Sequence, residues 1–320
     1  MARRKSGRNI NGVLILDKSP GISSNAALQR IRRLYKVNKA GHTGSLDPLA
    51  TGVLPICFGE ATKFSQYLLN ADKAYRVKVQ FGLLTDTYDI DGQVIETRDA
   101  SAIAQSQVEE AMLPLTGDIE QVPPMYSALK QDGQPLYKLA RQGIEIERKP
   151  RPVTIKDFRL LEFHDGEQAS AIFEVECTKG TYIRSLVFDL GNSLGCGASV
   201  AELRRISSGD FNESHIVREP DLVTELGEGD ASVLDRHLLP MECLMGGFNR
   251  VDLEPATAEF FMLGQAVMLS QAYRFGAEAD IVRVFREEGD FDNTFLGAGE
   301  ITGAALSQPM LQPKRLRSDI

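Results

Sequence analysis

The chain has 320 residues, enough for one large domain plus a small one. Hydrophobic residues make up 42% and charged residues 25%, no run approaches the length of a membrane span, and the apolar part of the basic opening (13–16) is too short for a signal-peptide core, so the reading is a cytoplasmic protein with no membrane role. Cys57, Cys177, Cys196 and Cys243 lie far apart with no C-x-x-C pair, which suggests neither a zinc ribbon nor a disulfide framework and predicts reduced, mostly buried thiols.

Net charge is −8, but residues 1–80 carry 14 Lys or Arg against 4 Asp or Glu, while the remainder carry 22 against 40. Local fields decide where a polyanion docks, so the asymmetry is compatible with RNA binding at the N-terminal part; a merely solvated basic surface is the plain alternative.

Residues 1–9 read as a mobile basic arm able to meet phosphates. A short buried strand at 13–16 and a turn at 17–21 precede a helix capped by Ser23 or Ser24 and running to 37. Its Leu28, Ile31, Leu34 and Tyr35 recur at helical spacing, and Arg30, Arg32, Arg33 and Lys36 form a basic surface. Next comes GHTGSLDPLATGVLP at 41–55. Gly41, Gly44, Pro48 and Gly52 punctuate it, so it is expected to hold neither helix nor strand. Asp47 is its one acid, among Leu46, Leu49, Ala50, Val53 and Leu54. A single carboxylate in apolar surroundings fits a nucleophile or general base better than a metal site, which needs several ligands; an Asx turn cap is the local alternative.

A helix is predicted over 60–69, then a strand in which Tyr75, Val77, Val79 and Phe81 alternate with polar residues. Tyr75 sits where a ring either completes the core or walls a base pocket. Asp86, Asp89 and Asp91 are spaced like part of a calcium loop, but the closing Glu is missing and the segment reads as a turn between strands. A helix at 104–115, a Pro-rich stretch from 123, an Asp132-Gly133 turn and a short helix at 135–142 follow. Two antiparallel strands, 152–163 and 169–177, join at Asp165-Gly166, the second with Ala171, Phe173, Val175 and Cys177 inward. Thr181 is expected to cap a helix with Tyr182 and Arg184 in its first turn. A cation there opposes the helix dipole and calls for a partner. A strand at 198–207, an acidic helical connector at 219–247 and β structure at 281–285 and 295–301 complete the chain.

The wording of 41–55 resembles the catalytic loop of the TruB family of tRNA pseudouridine synthases. NGVLILDKSPGISS (11–24), KAYRVKVQFGLLTDTYDIDG (73–92), VPPMYSALKQDGQPLYKLARQGIEI (122–146) and CTKGTYIRSLVFDLG (177–191) are similar to its other blocks, in the same order. Ser19 departs from the pattern: the family usually has Pro directly after the lysine. The resemblance implies a mixed α/β pseudouridine synthase fold with a largely antiparallel sheet in residues 1–247, an insertion at 84–150 gripping the tRNA T-arm, and a PUA-like RNA-binding module at 248–316. It implies isomerisation of the T-loop uridine with base flipping and no metal or cofactor, by a monomer needing no protein partner. Asp47 is then the essential carboxylate, Tyr75 the ring stacked on the uracil, Arg184 the counter-charge to Asp47 and Tyr182 the acceptor of the C5 proton. His42 fills the space of the flipped nucleotide, Lys18 supports the site from beneath, and Leu203 packs near the base. For Lys18 solvent exposure, and for His42 an ordinary structural role, are the alternatives. A tRNA-folding chaperone is the competing class of function and could coexist with turnover. Guide-RNA-dependent relatives lack most of the insertion.

Overall fold

The computed structural model describes residues 7–268, 275–287, 294–303 and 309–320. The first strand, β1 (Gly12–Lys18), carries a buried apolar run at 13–16 and is followed by α1 (Ser24–Leu34), β2 (Ala40–His42), β3 (Thr51–Phe58), α2 (Ser65–Leu69) and β4 (Lys73–Phe81). Next come β5 (Leu83–Thr85), β6 (Val94–Thr97), α3 (Gln105–Met112), β7 (Gly117–Gln121), β8 (Lys130–Gln131), β9 (Gln134–Pro135) and α4 (Leu136–Ala140). After it come β10 (Arg151–His164), β11 (Ser170–Cys177), α5 (Ile183–Ser193), β12 (Ala198–Ser208), β13 (Phe211–Asn212), β14 (Val217–Arg218) and α6 (Glu219–Leu226). The last part contains β15 (Arg250–Leu253), α7 (Pro255–Met262), β16 (Val267–Met268), β17 (Ile281–Arg286), β18 (Thr294–Thr302) and β19 (Met310–Leu316).

One mixed sheet runs β14-β1-β3-β12-β4-β11-β10-β7, with β2 beside β3 and β13 beside β12. Among the described residues only its β1–β14 and β12–β3 pairings are parallel, so the sheet is largely antiparallel, as expected. The period-two pattern of β4 and β11 puts Val77, Val79, Phe173 and Val175 on one face, where they meet Leu28 and Ile31 of α1 and Leu186 and Leu190 of α5. On the opposite face Val13, Ile15, Val53 and Phe64 join Phe285 and Phe295 in a second apolar cluster, which ties the last sheet (β15-β17-β18-β19-β16) to the first. Phe64 and Phe295 are 5.2 Å apart between ring centres. All four cysteines are unpaired; Cys57, Cys177 and Cys196 are buried and Cys243 half-buried.

Several sequence expectations change. The stretch 41–55 is not free of strand: β2 enters it and β3 begins at Thr51 and runs through Gly52 and Pro55. Pro55 is tolerated because its backbone faces away from β1, into the gap between β12, which pairs only Thr51 and Gly52, and β2, which pairs from Ile56 onward. Its carbonyl accepts there from Thr43 N at 3.1 Å. Gly52, at φ +97°, is required, since a Cβ would lie 2.3 Å from the Arg205 carbonyl oxygen of β12.

The single helix expected at 60–69 is a 3-10 turn, Gly59–Lys63, followed by α2. The hydroxyls of Thr62 and Ser65 donate to carbonyls three residues back, and Phe64 N bonds Ala61 O in the same tighter pattern. α1 stops at Leu34 rather than 37, because Lys36 takes φ +53° and Val37 N bonds back to Arg32 O. Thr181 does not cap α5. Its hydroxyl donates to Thr178 O, and Tyr182 is the N-cap, without a side-chain cap bond. Of the expected mobile arm, residues 1–6 lie outside the described residues. Residues 7–9 are held: Arg8 N donates to Lys36 O, Asn38 N to Arg8 O, and Arg8 pairs with Asp235.

Candidate active site

The segment between β2 and β3 is a short loop clamped from two sides. Beneath it, Lys18 is fully buried, so the exposed reading of this residue fails. Its Nζ donates to the carbonyls of Ala50 (2.6 Å), Ser19 (3.0 Å) and Pro48 (3.1 Å). Burial pulls the ammonium pKa down to about 8, with Asp47 resisting and Arg205 adding to the fall. Behind the loop, Ser24 Oγ accepts from Leu46 N at 2.7 Å and donates to Leu46 O at 3.0 Å, while Ser23 takes the cap of α1. Both expected cap candidates are therefore used, for different purposes.

Fixed in this way, the loop delivers Asp47 to α5. Arg184 Nε donates to Asp47 Oδ2 at 2.8 Å and Nη2 to Oδ1 at 3.1 Å, so both carboxylate oxygens accept from one guanidinium. Arg184 also donates to Thr87 O (2.7 Å) and Tyr126 O (2.8 Å), which joins the pair to the segment between β4 and β10 at two points. The Arg184 side chain is 4% exposed and that of Asp47 37%, so the cation is sealed while the acid opens outward. The Asx-cap alternative for Asp47 is excluded by this use of its oxygens. The cation near the start of α5 finds the partner its position demanded.

Asp47 opens into a cavity of about 820 Å³, also lined by Tyr75, Tyr182, Arg184 and Leu203. Five of the seven residues expected from sequence thus share one wall. Tyr75, on β4, is 9% exposed, and burial raises its hydroxyl pKa while Arg205 opposes that rise. Burial likewise raises the Tyr182 phenol. Gln121 holds the Tyr182 backbone from both sides, accepting from its N–H at 2.7 Å and donating to its carbonyl at 3.1 Å. Lys18 and His42 are not on the wall. His42 ends β2 two residues before Gly44, and its Nδ1 is buried without a hydrogen-bond partner. Burial, then Arg205, lower its pKa, which leaves the ring uncharged at neutral pH.

Several charged residues at the site were missed in the sequence, Arg151 and Lys179 on the cavity wall among them. Asp89 is buried behind Arg184, 3.8 Å from its Nε, with its own pKa raised by burial. Lys73 and Arg205 line the cavity. A signal for Arg205 existed: residues i and i+2 of a strand share a face, so placing Leu203 near a base also placed Arg205 there. No grouping of His, Cys, Asp and Glu suited to a metal occurs among the described residues, and Asp86, Asp89 and Asp91 hold a turn between β5 and β6.

Comparison with known proteins identifies the family. The family model described as TruB family pseudouridylate synthase (N terminal domain) matches residues 32–183; tRNA pseudouridylate synthase B C-terminal domain matches 184–245, and Pseudouridine synthase II TruB, C-terminal matches 250–316. The tRNA pseudouridine synthase B of Saccharophagus degradans is 53% identical over 316 residues, covering 99% of this chain and 98% of its own. That of Pseudomonas putida is 48% identical over 309 residues, 97% and 96% of the two chains. Among solved structures, a chain of a Cbf5-Nop10-Gar1 complex superposes with a TM-score of 0.72 at 24% identity, over 95% of this chain and 84% of that one, a likeness of fold. Matched by family models over residues 32–183, 184–245 and 250–316 and by relatives about half identical along nearly its whole length, the chain belongs to the TruB family of pseudouridylate synthases.

Proposed function

We propose that this chain isomerises the T-loop uridine of tRNA to pseudouridine in the cavity over Asp47. The observation that carries the site assignment is the two-point Asp47–Arg184 pair at the wall of a cavity long enough to take a base. The reaction breaks C1′–N1, turns the base and makes C1′–C5, with loss of the C5 proton and gain of one at N1. It is redox-neutral, and the side chains suffice. Asp47 acts as the essential carboxylate, kept ionised and aimed by Arg184. Tyr75 stacks on the uracil against Leu203, which is worth about 1–3 kcal/mol. Tyr182 receives the C5 proton as its own hydroxyl proton passes to water, and water supplies the proton gained at N1, so no net proton is taken up or released. His42 fills the space of the flipped nucleotide, and Lys18 supports the loop.

In this reading residues 1–247 are the catalytic domain, the insertion at 84–150 closes on the T-arm, and 248–316 form a PUA-like RNA-binding module. The chain acts as a monomer in the cytoplasm without a protein partner. No described helix is long and apolar enough to cross a membrane. Unmodified tRNA incubated with the protein and mapped by carbodiimide primer extension tests the assignment: a single new stop in the T loop is expected. A stop elsewhere, or none, contradicts it.

A further inference from the structure

Arg205 and Lys73 differ from Arg184 in one respect: neither forms an ion pair with a carboxylate, and Asp72, which acts on Lys73 from its neighbouring position, is paired with Lys156. Arg205 is 1% exposed, yet its Nε donates to Val53 O (2.7 Å) and its Nη2 reaches Gly44 O (3.5 Å), both backbone carbonyls. The guanidinium also lies against the Tyr75 hydroxyl. Lys73, 7% exposed, donates to the carbonyls of Leu69 (2.8 Å) and Ala71. Carbonyl partners satisfy the N–H groups but leave the charge uncancelled, an arrangement that is costly in a buried site unless a later state uses it. The carboxylate on this wall, Asp47, is already engaged by Arg184. The cavity floor therefore carries surplus positive charge, and burial together with Arg205 pulls the Lys73 ammonium down to about 8.

We propose that the uncancelled charge of Arg205 and Lys73 stabilises the negative charge that gathers on the uracil ring as its C1′–N1 bond breaks, and that Arg205 also fixes both ends of the catalytic loop. The inference rests on the isomerase reading of the same cavity. When C1′–N1 breaks, its electron pair leaves with the base, giving a uracil anion. That pair returns to carbon when C5 bonds C1′, after which the C5 proton departs and N1 is protonated. A preorganised cation in a water-poor site acts on such a developing charge without having to reorganise. Arg205 is placed for it, since its Cα partner across β12–β4 is Tyr75, the residue read as stacking on the base. It acts as an electrostatic and positioning residue, through Tyr75 and the loop.

The test compares wild type with Arg205→Gln, Arg205→Lys and Lys73→Met in single-turnover reactions on two tRNAs, one with uridine and one with 5-fluorouridine at the target, both scored by loss of the target's C1′–N1 bond, the step they share, since 5-fluorouridine has no C5 proton to release. Fluorine stabilises the base anion intrinsically, so 5-fluorouridine needs the cation less. Arg205→Gln is expected to lose about 100-fold on uridine and at least about tenfold less on 5-fluorouridine, with tRNA affinity within about threefold of wild type. Arg205→Lys, which keeps the charge, should stay within about tenfold. Equal losses on the two substrates would overturn the proposal and leave a structural brace; weakened tRNA binding with unchanged rate would assign the charge to a phosphate. Should Arg205→Gln fail to fold, Lys73→Met carries the same comparison. A wild type inert on uridine would instead sink the isomerase reading itself.

Discussion

Two buried guanidiniums flank one cavity and are spent differently. Arg184 gives both arms of its fork to Asp47 and its remaining donors to the carbonyls of Thr87 and Tyr126. Arg205 is as deeply buried, but it touches only backbone carbonyls and a phenol. The difference teaches that burial alone does not tell what an arginine is for. A cation with a carboxylate partner organises the reactive group, whereas one without is a source of field for whatever enters.

The contrast is broken most severely by removing the paired cation. Arg184→Gln leaves Asp47 unaimed and opens the join to the insertion, and a fall in single-turnover rate of about 10³ is expected, with tRNA affinity far less changed. Rate and affinity measured on the same preparations decide it; comparable losses in both would mean that Arg184 serves binding.

A smaller effect is expected from pH. The Lys73 ammonium, with a pKa of about 8, faces Arg205, Cys177, Asp72 and Lys179. Above that pH it loses its proton and the floor loses positive charge, so the rate should fall as pH rises. A decline of about tenfold from two units of pH is expected in wild type, and a shallower one in Lys73→Met. Parallel profiles would remove Lys73 from the account. A further change, read in stability rather than in rate, concerns the brace and not the charge. Gly52→Ala forces a Cβ against the Arg205 carbonyl at positive φ, so a loss of about 2 kcal/mol or more is expected in denaturant unfolding.

Which of these residues could be read from sequence follows from how each is held. Asp47 and Arg184 were legible because each sits inside a distinctive local wording, GHTGSLDPLATG and KGTYIRSL, and because an arginine at the start of a helix demands a partner. Arg204 and Arg205 are adjacent and identical in type, and only the strand alternation counted from Leu203 separates them. Alternation on β12 sends Arg204 to Asp17 and Glu213 on the outer face and Arg205 into the cavity. Pro55 has no N–H to give a sheet ladder, yet it continues a strand because that position faces a gap between two neighbours, a tertiary fact. The split of the 60–69 helix turned on hydroxyls bonding their own backbone and on a phenylalanine docking against the last sheet. The strands with strict alternation, β4 and β11, were recovered with their inward faces correct, since their pattern is set by burial on one side.

The claim on which all the rest depends is that Asp47 performs the chemistry rather than shaping the loop. Tritium release from tRNA labelled at uracil C5, by wild type and Asp47→Asn, tests it most directly, with tRNA binding measured in parallel. The account predicts release by wild type, none detectable from the variant, and retained binding by both. Release by Asp47→Asn at a rate near that of wild type would contradict it.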